Sequence, residues 1–225
     1  YGSLTGGSLL GRLGVPFVFG PVGGAQVAEA ALAPWFGTAW RSERRRAWYA
    51  RHAPLSPLAQ SAIRGASLVL ATNRDTEEMA HAMGAVRVER FLDSGLPDGF
   101  GSSRVAMAKS DGARRVLWVG SMRPCKGANL SVSAFAAAGL EDAQLIVVGD
   151  GRCRQEVEAL VDELAIRRHV QFTGRLSWER VQEEYGLADA FLFTSLRDSF
   201  GSQILEAMAF GLPSVILDHH AASVL

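Results

Sequence analysis

The chain has 225 residues, room for one large domain or two smaller ones, with two favoured by length. Hydrophobic residues make up 48% and charged residues 20%, which supports a buried core and excludes global disorder. Lys+Arg and Asp+Glu balance at 23 each, so the basic excess of a nucleic-acid binder is missing and no nucleic-acid partner is expected.

The two cysteines, Cys125 and Cys153, are far apart and lack CxxC spacing. They read as reduced thiols rather than half of a zinc site, which would need about four closely spaced ligands. No apolar run approaches the ~20 residues that cross a bilayer. The chain begins at Tyr1 rather than Met and is expected to lack a front segment. The expected location is the cytoplasm, with the inner face of the membrane left open.

In chain order, residues 15–19 are a short apolar run that predicts a buried strand, followed by a Gly20-Pro21-Val22-Gly23-Gly24 loop. Residues 38–65 predict helix interrupted at Pro54 and Pro57. Residues 67–72 predict a second buried strand; Asn73 or Asp75 would cap the next helix, and Gly84 would end it. Residues 86–92 predict a third strand. Residues 93–113 are rich in Gly, Ser, Asp and Pro, so a linker at 98–112 separates 1–97 from 113–225.

Beyond the linker the pattern alternates. Strands are expected at 115–120, 144–149, 170–174, 190–194 and 214–217, with helices at about 128–139, 153–166, 177–187 and 202–210. Such βαβ units imply a parallel sheet that binds ligands at the carboxyl ends of its strands.

Three of the resulting loops carry candidate chemistry. The first, Gly120-Ser121-Met122-Arg123-Pro124-Cys125-Lys126-Gly127, can set cations and backbone N–H groups against a phosphate, although it does not fit a Walker A loop. The second, Gly149-Asp150-Gly151, lets backbone turn sharply and a ligand approach closely, without a GxGxxG pattern. In the third, Asp198 precedes a helix that carries Glu206 eight positions later. A carboxylate accepts two hydrogen bonds from a vicinal diol, so the two acids could hold two sugar rings of one ligand. The helix start near Gly201 and Ser202 would face the diphosphate between them. Each loop taken alone is equally an ordinary turn, and each acid a cap or surface charge.

Together and in this order, the three loops resemble the donor lobe of glycosyltransferase family 4. The matching residues are the Gly120–Gly127 loop, Val148-Gly149-Asp150-Gly151, Phe172-Thr173-Gly174, Tyr185, Ala188-Asp189, Ser195-Leu196, and Asp198 followed after seven residues by Glu206-Ala207-Met208-Ala209-Phe210-Gly211-Leu212-Pro213. The match spans roughly 115–218. Leu13 to Gly24, residues 67–73 and Ser94-Gly95-Leu96 are similar to the family's acceptor lobe. The resemblance implies an α/β fold of the GT-B type, with two Rossmann-like lobes, and transfer of a hexose-type sugar from a nucleotide-diphosphate sugar with retention. It implies no cofactor and no metal. Lys126 would neutralise the leaving diphosphate, Glu206 would bind the ribose hydroxyls, and Asp198 would stand near the donor hexose where the family usually has glutamate. Gly174, Arg175 and Leu176 would line the base pocket; Ser199, Phe200, Gly201 and Ser202 would meet sugar and phosphate. Gly120, Gly149 and Asp150 would line the same donor site. Ser121 occupies the place of the family's phosphate-binding arginine, and Arg123 would substitute.

The resemblance also implies that the first lobe and the end of the second are incomplete, because the acceptor lobe's glycine loop and histidine strands are absent and the pattern lapses at His219-His220. The alternatives are a hydrolase or epimerase of the same architecture, or a non-catalytic nucleotide-sugar-binding fragment. The acceptor is a glycan, a lipid or a small molecule. His219 and His220 lack a third partner for a metal. Arg41, Arg44, Arg45, Arg46 and Arg51, with Trp40, Trp48 and Tyr49, form either a solvated helix face or a peripheral membrane contact.

Overall fold

A computed structural model describes residues 2–92, 94–101 and 112–218. His219 and His220 lie outside the described residues, as do linker positions 102–111. The described residues fall into two compact units: one within Tyr1–Gly95, Arg197–Gly201 and Asp218–Leu225, the other within Leu96–Leu196 and Ser202–Leu217.

The first unit holds a four-stranded parallel sheet of β1 (Gly2–Ser3), β2 (Val18–Gly23), β3 (Leu68–Ala71) and β4 (Val88–Arg90), in the order β1-β2-β3-β4. The expected strand at 15–19 with a glycine loop after it is instead one strand that starts at Val18 and continues through Pro21 to Gly23. Pairing wins over the turn-forming composition. Val22 and Gly23 pair with Gly2 and Ser3, Val22 also pairs with Ala71, and a register shift between Phe19 and Val22 takes up the proline, which has no N–H for the ladder.

Helices α1 (Ala33–Phe36), α2 (Trp40–His52), α3 (Pro57–Gly65) and α4 (Arg74–Ala82) complete this unit. The two prolines set the break between α2 and α3. Pro54 sits in the 3-10 turn Ala53–Leu55, and Pro57 occupies the first helical position after Ser56, whose side chain caps Ala59 N. Leu4, Val22, Ala59, Ile63, Val69, Ala80 and Met83 form the core. Helix α2 buries only Glu43, Ala47 and Ala50, so a single narrow stripe holds it.

The second unit has a five-stranded parallel sheet of β5 (Arg114–Val119), β6 (Ala143–Val148), β7 (Val170–Gly174), β8 (Ala190–Phe193) and β9 (Ser214–Ile216). The spatial order is β7-β6-β5-β8-β9. Helices α5 (Ala128–Ala137), α6 (Arg154–Glu163), α7 (Trp178–Leu187) and α8 (Ser202–Ala209) connect the strands. Trp118, Leu145 and Val147 pack with Val132, Phe135, Val157 and Val161 of α5 and α6. Tyr185 of α7 packs instead against Phe191 of β8 and Phe210, at ring-centroid distances of 5.6 and 5.7 Å. At about 1.5–3 kcal/mol for each fully buried large apolar side chain, this double-sided core is the main force holding the loops above the sheet. Asp189 ties β8 to β5 at the amino end of the sheet: its carboxylate accepts from Arg115 N at 2.9 Å and its own N–H donates to Arg115 O at 2.8 Å.

Candidate functional site

The strand order of the second unit reverses direction between β5 and β8, since the chain leaves β5 toward β6 on one side and leaves β8 toward β9 on the other. In open α/β sheets the crevice outside the carboxyl ends of two such strands is where a ligand binds. The Gly120–Gly127 loop follows β5, and Thr194-Ser195-Leu196 follows β8.

Those two loops are stitched together. Leu196 N donates to Cys125 O at 2.8 Å, and Ser195 Oγ to the same oxygen at 3.2 Å. Thr194 Oγ1 donates to Gly127 O at 2.8 Å and accepts from Trp118 Nε1 at 3.2 Å. Gly127 has a φ of 63°, and a Cβ there would stand 2.1 Å from Thr194 O, so only glycine allows this approach. Lys126 ends the 3-10 turn Pro124–Lys126 immediately before it and is half-buried. Arg123 is exposed, and its Nε donates to Ser121 Oγ at 3.1 Å.

The Gly149–Gly151 turn lies against the same loop. Met122 N donates to Asp150 O, and Cys153 N to Met122 O, both at 3.0 Å. A Cβ on Gly149 (φ 123°) would sit 1.9 Å from Gly120 O. Gly149 N also donates to Gly174 O at 2.8 Å, which brings the end of β7 to this edge. The Asp150 side chain serves its own turn, accepting from Gly151 N at 2.7 Å and lying 3.5 Å from Arg154 Nη1. Arg175 is exposed and Leu176 half-buried beyond that strand end. Gly120, Lys126, Gly149, Asp150 and Gly174 therefore stand on loops joined by backbone hydrogen bonds.

Glu206 lies in the second turn of α8 with 7% of its surface exposed. Tyr185, fully buried, donates its hydroxyl to Glu206 Oε2 at 2.8 Å. Burial raises the carboxyl's pKa above the usual carboxylate range, while the bond from Tyr185 acts in the opposite direction. Burial and the neighbouring carboxylate push the Tyr185 phenol far up, so it remains a donor throughout the working pH range. Oε1 takes no hydrogen bond from any described residue. The sequence marks Tyr185 only as part of a pattern; its 21-residue separation from Glu206 hides the bond.

Arg197–Gly201, between β8 and α8 in the chain, group with the first unit. Asp198 Oδ1 accepts from Phe200 N at 3.4 Å and Gly201 N at 3.3 Å, which shapes the turn before α8. Asn73 is fully buried. Its Oδ1 caps α4 by accepting from Thr76 N at 3.0 Å, and its Nδ2 donates to Ser199 O at 2.8 Å. Glu43 receives Arg197 Nε at 2.7 Å. The sequence finds Asn73 as a cap but gives no sign of partners more than a hundred residues away.

Among the described residues, no group of three or more His, Cys, Asp or Glu side chains is placed to hold a metal ion, and no helix is long and apolar enough to cross a membrane.

A family model described as glycosyl transferases group 1 matches residues 102–224. The N-acetyl-alpha-D-glucosaminyl L-malate synthase of Bacillus anthracis is 35% identical over 107 residues, 47% of this chain and 28% of that protein. The 2-deoxystreptamine glucosyltransferase of Streptomyces kanamyceticus is 28% identical over 165 residues, 67% of this chain and 42% of that protein. The chain thus spans less than half the length of these relatives. Among solved structures, Anabaena HepE in complex with UDP and glucose aligns over 80% of this chain and 57% of that one, with a TM-score of 0.59 and 21% identity. At that identity the likeness concerns the fold, a mixed α/β architecture with parallel sheets shared with GT-B glycosyltransferases.

Proposed function

We propose that this chain, which belongs to the glycosyl transferases group 1 family, carries the donor site of a retaining family 4 glycosyltransferase that moves a hexose-type sugar from a nucleotide-diphosphate sugar to an acceptor. The observation that carries the reading is Glu206: a buried carboxylate, held through one oxygen by Tyr185, whose other oxygen takes no bond from a described residue. A ribose diol is the ligand chemistry that suits a fixed, largely buried carboxylate acceptor.

In this reading Lys126, half-buried at the β5/β8 crevice, supplies positive charge to the diphosphate. The N-terminus of α8 supplies N–H groups to the same charge. These fixed positive groups stabilise the departing nucleotide diphosphate more as its negative charge develops, which is where electrostatic preorganisation lowers a barrier. No metal is required in this scheme, and a chelator should leave turnover unchanged. Gly120, Gly149 and Gly174 are assigned to the nucleotide side of the site, with Arg175 and Leu176 at the base and Arg123 a second cation for the phosphates. Asp198, Ser199, Phe200 and Gly201 are assigned to the donor hexose. The cytoplasm, where nucleotide sugars are at hand, is the proposed place of action, with the inner face of the membrane left open.

Product analysis with a labelled nucleotide sugar and an acceptor panel tests the reaction class. The expected product is a new glycoside with the donor's anomeric configuration. Free sugar as the sole product would assign the site to hydrolysis, and an inverted linkage would remove the chain from the retaining class.

A further inference from the structure

Helix α2 has five arginines and one acid in thirteen residues. Positions 41, 44, 45, 48, 51 and 52 recur at three- and four-residue spacing, so Arg41, Arg44, Arg45, Trp48, Arg51 and His52 share one face. All six are exposed and border an open surface depression of about 600 Å³ in the first unit, which Val27 and Ala28 also line. Glu43 is the one acid on its wall, and it is already committed: Arg46 Nε lies 3.0 Å from its Oε1, and Arg197 Nε 2.7 Å from the same oxygen. Arg41, Arg44, Arg45 and Arg51 make no ion pair or side-chain hydrogen bond with any described residue.

Like charges on successive turns of one helix destabilise it, and here no acid from the described structure relieves them. An anion entering the depression would. Guanidinium groups present forked donors that match phosphate oxygens in pairs. Trp48 stacks on His52 with ring centroids 4.2 Å apart, giving the depression a flat wall. Beyond that wall is a second, more apolar cavity of about 640 Å³, bordered by Tyr49 and Leu55.

We propose that the α2 depression binds a phosphate-type oxyanion borne by the acceptor, with Arg44 and Arg45 as its central donors. The word acceptor rests on the transferase reading above; the anion site itself does not. The phosphate can belong to a soluble phosphorylated acceptor or to a lipid headgroup whose apolar part uses the neighbouring cavity.

The test follows the Trp48 indole N–H resonance, assigned with Trp48→Phe, while inorganic phosphate is titrated into the full chain. The wild type and Lys126→Ala should show the same saturable shift, and Arg44→Ala/Arg45→Ala should need about tenfold more phosphate or greater. The double variant should keep wild-type affinity for nucleoside diphosphate, which separates a lost anion site from a lost fold, and Arg44→Lys/Arg45→Lys should recover part of the phosphate response. Absence of a Trp48 shift, or an equal shift in the double alanine variant, overturns the proposal. Co-sedimentation with phosphatidylglycerol vesicles distinguishes the sources. Vesicle binding that phosphate competes away indicates a headgroup, and phosphate binding without vesicle binding indicates a soluble acceptor. Vesicle binding indifferent to phosphate and to Arg44→Ala/Arg45→Ala overturns the pocket in favour of a diffuse surface charge. If nucleoside diphosphate fails to bind while the Trp48 response persists, the transferase reading fails and the anion site stands.

Discussion

Replacing Tyr185 with Phe removes one oxygen and leaves the ring stacked on Phe210 and tilted against Phe191. The packing core is therefore kept, and the change removes the 2.8 Å bond to Glu206 Oε2 together with a longer 3.5 Å contact to Gln203 O. A hydrogen bond to a charged group is worth roughly 1.5–3 kcal/mol. If that bond fixes the carboxylate that holds the ribose, nucleoside diphosphate affinity should fall by roughly ten- to 150-fold at neutral pH, the same energy expressed as a binding ratio. The loss should depend on pH. The Tyr185 bond lowers the pKa of a carboxyl that burial raises, so without it the carboxyl protonates at higher pH. Calorimetric titration from pH 5 to 9, with the best-binding nucleoside diphosphate of a panel, should show the acid limb of affinity moved upward in Tyr185→Phe and the deficit narrowing at the alkaline end. Equal affinity and an unmoved acid limb in a folded variant would refute the positioning role of Tyr185.

Glu206 also makes a linked stability prediction. Its folded pKa lies above the unfolded value, so between the two the folded state binds more protons, and the apoprotein should gain stability as pH falls through that window. Glu206→Gln, which can still accept from Tyr185, should raise Tm at pH 8, flatten the pH dependence and weaken nucleotide binding; thermal melts at pH 5 and 8 check all but the last. Gly149→Ala places a Cβ 1.9 Å from Gly120 O at a φ of 123°, and should cost upwards of about 1–3 kcal/mol in denaturant unfolding. Asn73→Ala removes the cap on Thr76 N and the donor to Ser199 O, and should destabilise the first unit by about 1–2 kcal/mol or more, seen as faster amide exchange in α4.

The sequence places the second sheet within one or two residues at each strand, because β5 to β9 are short apolar runs separated by helices of ordinary length. It also marks the loops at the switch point, since glycines punctuate them, and at Gly127 and Gly149 only glycine permits the approach. It misplaces β2, because Gly-Pro-Val-Gly-Gly carries turn chemistry while pairing with β1 and β3 is a long-range fact. It leaves Tyr185–Glu206, Asn73–Ser199 and Glu43–Arg197 unseen for the same reason: hydrogen bonds across 21, 126 and 154 residues have no local signature. The arginines of α2 are plain in the sequence, but only the structure shows that the one nearby acid is taken by Arg46 and Arg197.

The donor site itself is tested most directly by calorimetric titration of a nucleotide-sugar panel into the wild type, Glu206→Ala and Lys126→Ala. One nucleotide sugar is expected to bind the wild type, and each substitution to weaken it by about 1–3 kcal/mol, the scale of a lost charge-assisted hydrogen bond. Glu206→Ala should weaken the free nucleoside as well, while Lys126→Ala should affect only diphosphate-bearing ligands. Binding of unchanged strength in both folded variants would rule out a donor site built on Glu206 and Lys126.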